Sequence, residues 1–268
     1  MTIKNFALIS TLGLSTLMTP VASEASSAFA NASLNWDSIE IFTSSFGGNP
    51  EPTIQWLNQT DNGSLSTNDN FGGGTASDTS SAGFNRPNWL STIQRNSSLS
   101  YTSSAFDART QSVEASASSP VEVGDYNNSS SSSLTRAGQF SVSGSGLVGF
   151  KFSASAYSNV NGTSDWSGFA TSQAFVSLTN GLGSSIQSLD AHSSIFSLEI
   201  DDLSNTLVVA LFFNDGQTGF LETRVSASTN LSGYSDGDGQ TSPVPVPAAF
   251  WFFGTALIGL AVGKRKKA

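Results

Sequence analysis

A two-residue periodicity over the second half of this 268-residue chain constrains its fold more than any other feature. Phe150, Phe152 and Ala154 stand two apart in a run, 139–154, rich in Ser, Gly and Val. Side chains at i, i+2 and i+4 share one face of a strand, so such a run buries its apolar set as β structure and not as a helix. Comparable runs at 110–117, 174–178, 195–200, 206–214 and 219–228 are separated by Ser, Asn and Gly clusters that suit turns. The continuously apolar stretch from Leu207 to Phe213 predicts a strand buried on both faces. Asn214, Asp215, Gly216 and Gln217 follow it and predict a hairpin turn into the next run.

Earlier in the chain, 31–43 reads as a strand: Leu34, Trp36, Ile39 and Ile41 alternate with polar neighbours after one slip of register, which places a bulge at Asp37 and Ser38. Residues 44–87 are dominated by Gly, Asn, Asp, Ser and Thr, and predict a long irregular excursion with at most a short strand around Ile54 to Trp56. Residues 89–100 fit a short helix or an irregular segment. Together these readings predict a mainly β protein, an antiparallel β-sandwich of jelly-roll-like form. A parallel solenoid would need a repeat of fixed length, and none is present.

Composition narrows how such a body is stabilised. There is no cysteine, so disulfides, thiolate metal sites and a cysteine nucleophile are excluded. The formal net charge is −9, and the body is more acidic still because four cations are grouped at the extreme C-terminus. That sign argues against nucleic acid or another polyanion as partner. Serine makes up about a fifth of the residues; with Thr, Asn and Gly it favours turns and exposed strand faces over helix interiors.

The two ends read as targeting segments. Lys4, an apolar run from Phe6 to Met18 and a break at Pro20 predict a signal helix within a signal peptide spanning 1–30. Ala28, Phe29 and Ala30 form the clearest small-x-small site and place cleavage after Ala30, in competition with Ser23, Glu24 and Ala25. At the other end Pro243, Pro245 and Pro247 hold an extended stretch, residues 248–263 are apolar, and Lys264, Arg265, Lys266 and Lys267 close the chain. Sixteen residues is short for a transmembrane helix, which remains the expectation for 248–263, and the cations would stop it with that end in the cytoplasm. A body of 31–235 and a flexible spacer of 236–242 lie between.

Val244, Pro245, Val246, Pro247, Ala248 and Ala249, followed by Trp251, Phe253, Gly254, Leu257, Gly259, Leu260 and the terminal cations, resemble a PEP-CTERM sorting signal of the Val-Pro-Leu-Pro-Ala type. The resemblance covers about 25 residues, and Val246 stands where the commonest form has Glu. It implies an exported substrate of an exosortase, held transiently in the inner membrane and then released to the cell surface or to an exopolysaccharide matrix. It implies nothing about the chemistry of the body.

Within the body no catalytic spacing stands out. His192 is the sole histidine and lies near Asp190; Gly144, Ser145 and Gly146 lack the spacing of a nucleophile elbow. Asp236 and Asp238, Asp201 and Asp202, and Asn68 to Asn70 offer oxygen ligands of the kind calcium takes, but none completes a known loop. Glu199 and Asp201 share a strand face as a glycosidase pair would. Of Trp36, Trp56, Trp89 and Trp166, the polar surroundings of Trp56 and Trp89 make those two the candidates for stacking on sugar rings. The expectation is a noncatalytic surface or matrix protein without a metal or cofactor, associated with exopolysaccharide; a secreted polysaccharide hydrolase and a self-assembling surface fibre are the alternatives.

Overall fold

Ser, Asn and Asp, which disfavour helices, supply most of the polar alternate positions, and strands result throughout. The computed structural model describes residues 26–45, 47–48, 50–71, 77–86, 94–120, 124–162, 167–197 and 200–235. Among these are twelve strands: β1 (Ser27–Ser45), β2 (Thr53–Asn70), β3 (Ser77–Arg86), β4 (Gln94–Ser98), β5 (Thr102–Asp107), β6 (Ser112–Ser118), β7 (Gly124–Ser143), β8 (Gly146–Asn161), β9 (Ser167–Thr179), β10 (Ser184–Ser194), β11 (Asp201–Phe213) and β12 (Thr218–Ser235). They form two antiparallel six-stranded sheets, ordered β11-β8-β1-β6-β5-β4 and β10-β9-β12-β7-β2-β3. The described residues belong to one compact unit, Ala25–Gly237, and none of their helices is long and apolar enough to cross a membrane.

Inward side chains of both sheets share one core. At one end it is aromatic: Phe140 of β7 packs edge-on against Phe150 of β8 at 5.6 Å and lies 5.5 Å from Phe213 of β11. Burying each of these rings contributes about 1.5–3 kcal/mol. At the other end the core is built from small residues, with Ala28, Ala30 and Ala32 of β1 near Ala115 and Ala117 of β6. There hydroxyls bond directly from sheet to sheet: Ser132 of β7 donates to the Ala105 carbonyl at 2.8 Å, and Ser172 of β9 to that of Tyr157 at 3.0 Å. A serine reaches a facing backbone only where the sheets lie closer than the ~10 Å that aliphatic packing sets. Ser132 and Ser172 therefore satisfy their hydrogen bonds from sheet to sheet, whereas the buried hydroxyls of Ser104 and Ser158 have no partner among the described residues.

The free edges of β10 and β11 meet and occupy each other's backbone donors. Val208 and Ala210 of β11 donate their N–H groups to Gln187 Oε1 at 2.8 Å and Ser185 Oγ at 3.3 Å, while His192 of β10 donates its N–H to Asp201 Oδ2 at 2.8 Å. Side chains thus cover donors that an exposed edge would offer to another chain.

Several expectations need correction. The stretch 44–87 is not an irregular excursion; β2 runs eighteen residues through it and sits between β7 and β3. Its inward positions include Asp61, Gly63, Thr67 and Asp69, so the apolar alternation that marks a buried strand is absent. Residues 94–98 are strand, not helix. Residues 195–197 form the turn after β10 and are not strand. β11 is an edge strand buried on one face only, with Val208 37% and Phe212 46% exposed. The turn at 214–217 joins β11 to β12 in the opposite sheet, so it arches between layers and closes no hairpin. The bulge in β1 is present, as a register shift between Asn35 and Glu40.

The expected boundary after Ala30 falls inside β1. Residues 27–33 pair with β6 on one side and β8 on the other, and Ala28 and Ala30 are 1% and 0% exposed. Residues 236–242 and the predicted transmembrane segment 248–263 lie outside the described residues.

Candidate functional site

Strict alternation on β2, β7, β12 and β9 sends one residue in two to the outer face of the second sheet. Because these strands are in register, their outward residues form rows. Ser64, Ser133, Ser226 and Gln173 stand side by side, and one step along stand Ser66, Ser131, Ser228 and Thr171. Strand spacing of about 4.8 Å and a step of about 6.7 Å between residues on one face make this a two-dimensional lattice of hydroxyls. Ser64 and Ser133 hydroxyls already bond at 2.9 Å. Asn62 and Thr135 flank one side and Asn68, Ser129 and Asn230 the other. The two central rows carry no charge on β2, β7, β12 and β9, and Arg224 of β12 stands beside Thr135 in the flanking row.

At the β9–β10 margin the field runs into a groove of about 310 Å³ between Thr171, Gln173, Asp190, His192, Ser226 and Ser228. Polar side chains there hold one another in place: Ser188 donates to Asp190 Oδ2 at 2.6 Å, Gln173 Nε2 donates to Asp190 Oδ1, and Arg224 donates to Gln173 Oε1 at 2.9 Å. The Arg224 guanidinium lies 5.2 Å from the Phe175 ring centre. This margin offers a mixed donor and acceptor set on the rim of the hydroxyl rows.

The first sheet carries a smaller site on its own outer face. Phe29 and Tyr157 lie 5.8 Å apart, and Phe29 borders a hollow of about 270 Å³ with Asn96, Ser98, Ser103, Glu114 and Ser116. An apolar ring flanked by hydroxyls and an amide suits a sugar ring, whose faces are apolar and whose edge is polar.

The residues singled out from sequence are dispersed. Trp56 is partly buried and packs on the core, 5.3 Å from Phe140 and 6.0 Å from Phe150. Trp36 also faces the core, against Phe152 at 5.2 Å. Trp89 and Trp166 lie outside the described residues, as do Glu199, Asp236 and Asp238, the sorting motif Val244, Pro245, Val246, Pro247 and Ala248, and the cations Lys264, Arg265, Lys266 and Lys267. His192 and Asp190 do share the groove. Asp69 is a structural staple, accepting from the Thr102 hydroxyl at 2.6 Å and the Tyr101 N–H at 2.8 Å. Among the described residues no three His, Asp or Glu side chains gather as metal ligands would.

Sequence reasoning missed the hydroxyl rows. Their only trace is the serine run 129–133, which gives no indication of its neighbours on β2 and β12. Compared with protein-family models, curated proteins and solved structures, the chain shows no match.

Proposed function

We propose that this is an exported, noncatalytic surface or matrix protein whose second sheet adheres to a neutral exopolysaccharide. The observation that carries this reading is the uncharged serine lattice across β2, β7 and β12. Serine repeats at outward positions of three neighbouring strands, so their hydroxyls lie side by side on one face. Small side chains leave the face flat, and each hydroxyl both donates and accepts. A polymer of sugars presents the complementary groups at regular intervals. Single contacts of this kind are weak, but a rigid lattice engages many at once without ordering cost on the protein side.

The rest of the reading concerns traffic. The leader carries the chain through the inner membrane, residues 248–263 span it as a helix, and an exosortase acting near Val244 to Ala248 releases the body. Nested pairing of β1 with β8 and of β2 with β7 supports a jelly-roll-like winding. Mutual capping of the β10 and β11 edges weighs against fibre growth by strand addition at that side.

Binding of purified body to the producer's own exopolysaccharide, followed by calorimetry or pull-down, tests the adhesive role. Triple replacement Ser66→Val, Ser131→Val and Ser228→Val, which removes the hydroxyls without adding charge to directly opposed positions, should weaken binding at least tenfold while the protein stays folded. Folded protein that ignores the polymer, or binding indifferent to the triple variant, overturns the proposal. New reducing ends that accumulate with protein and vanish on a single Asp or Glu replacement would install the hydrolase reading instead.

A further inference from the structure

We infer that the leader is removed between Ala25 and Ser26, so that the mature protein begins at Ser26. This rests on reading the N-terminus as a secretion leader. The step is hydrolysis: water adds across the Ala25–Ser26 amide, leaving a carboxylate on Ala25 and a free amine on Ser26.

The position follows from what β1 does. It is an inner strand of the first sheet, and Ser27, Ala28, Phe29 and Ala30 pair with Ser118, Ala117, Ser116 and Ala115 on β6 and with Asn161, Val160, Asn159 and Ser158 on β8. Ala28 and Ala30 point into the core, while Phe29 covers Tyr157 on the outer face. The Ser119 N–H also donates to the Ser26 carbonyl at 2.9 Å, so engagement starts at residue 26 itself.

A cut after Ala30 would remove these residues and leave β6 and β8 facing one another across a vacant strand position. The gap could not close, because Asn31 to Ser33 would still hold the two strands apart. Backbone groups of 115–118 and 158–161 would lose their partners. At about 1–3 kcal/mol for each buried group left unpaired, the sum rivals the ~5–15 kcal/mol that holds a domain together. Cleavage after Ala25 leaves every one of these pairings and the Ser26 carbonyl contact in place. Ser23 and Ala25 supply the small side chains required three and one residues before the cut, and they stand closer to the end of the apolar run than Ala28 and Ala30 do.

The test is expression of the full chain in a secreting Gram-negative host, with N-terminal sequencing and intact mass of the exported protein. A first residue of Ser26 is expected. A first residue of Asn31 in folded protein overturns the inference but leaves the export reading standing. Retention of Met1 on the recovered protein overturns the leader reading and the inference with it. Ala25→Leu in the full chain should accumulate uncleaved precursor at least severalfold, and undiminished processing of that variant would refute the assignment even if folding of other variants were impaired.

Discussion

Arg136 Nε donates to Asp61 Oδ1 at 2.7 Å inside the protein, where the two side chains are 5% and 1% exposed. The pair lies on neighbouring strands β7 and β2 in direct register. Arg136 Nη2 also donates to Asp61 Oδ2 at 3.2 Å and to the Ala108 carbonyl at 2.7 Å, and its guanidinium lies 4.8 Å from the Trp36 ring centre. The fork thus ties the second sheet to the β5–β6 turn and to the bulged part of β1. Removing one partner strands the other charge, so Asp61→Ala or Arg136→Ala should each lower stability by about 3–5 kcal/mol. Arg136→Lys should recover little, since an ammonium neither forks nor stacks. Denaturant midpoints followed by tryptophan fluorescence check both.

Gln111 is fully buried at φ 47°, the one residue other than glycine with positive φ among those described. Its amide donates to the Thr223 carbonyl at 3.0 Å and accepts from the Thr223 hydroxyl at 2.9 Å and from Trp36 Nε1. Gln111→Ala keeps the backbone strain and orphans these groups. Gln111→Gly orphans them too but relieves the strain, so it should be the more stable variant by about 1 kcal/mol, with both well below the parent. Paired urea titrations give the ordering.

Gly146 and Gly149 on β8 differ in what stops a side chain. A methyl at Gly146 meets the backbone carbonyl of Ser44 on β1, whereas one at Gly149 meets the far end of the Phe42 ring. A ring can swing and a paired strand cannot. Gly146→Ala should therefore cost about 3 kcal/mol or more and Gly149→Ala about 1 kcal/mol, measurable as thermal unfolding midpoints.

Tyr126 packs with Ala117, Leu231 and Phe71, and burial pushes its phenol well above the ordinary value. Below pH ~10 folded and unfolded chains both keep this proton, so stability is unaffected. Above pH ~10 the unfolded chain releases it and the folded chain retains it. Stability should therefore fall with rising pH from that point. Tyr126→Phe should flatten this alkaline decline in denaturation curves collected from pH 8 to 11.

Trp56→Ala should act on stability alone. The ring packs against Phe140 and Phe150, so truncation should cost about 3–5 kcal/mol and, at a temperature where the variant stays folded, leave polysaccharide affinity unchanged. A binding assay beside a melting curve separates the two.

Where the strands follow an apolar alternation, as in β8 with Phe150, Phe152 and Ala154, the fold was legible. It was not legible in β2, because that strand turns Asp61, Thr67 and Asp69 inward, and each is satisfied by a partner distant in sequence: Arg136, Ser97 and Thr102. The packing of Trp56 on Phe140 and Phe150 was hidden for the same reason, since polar neighbours in the sequence are not neighbours in space. The turn after Phe213 was recognisable as a turn, but which sheet it led into depended on β12 pairing with β7 and β9.

The sequence by itself determined the strand character of the body and its freedom from disulfides, because period and composition are local properties. Tertiary structure alone decided that the serines of β2, β7 and β12 share one face and that β1 begins before Ala30. Register between strands separated by many residues sets both, and no local stretch of sequence encodes it.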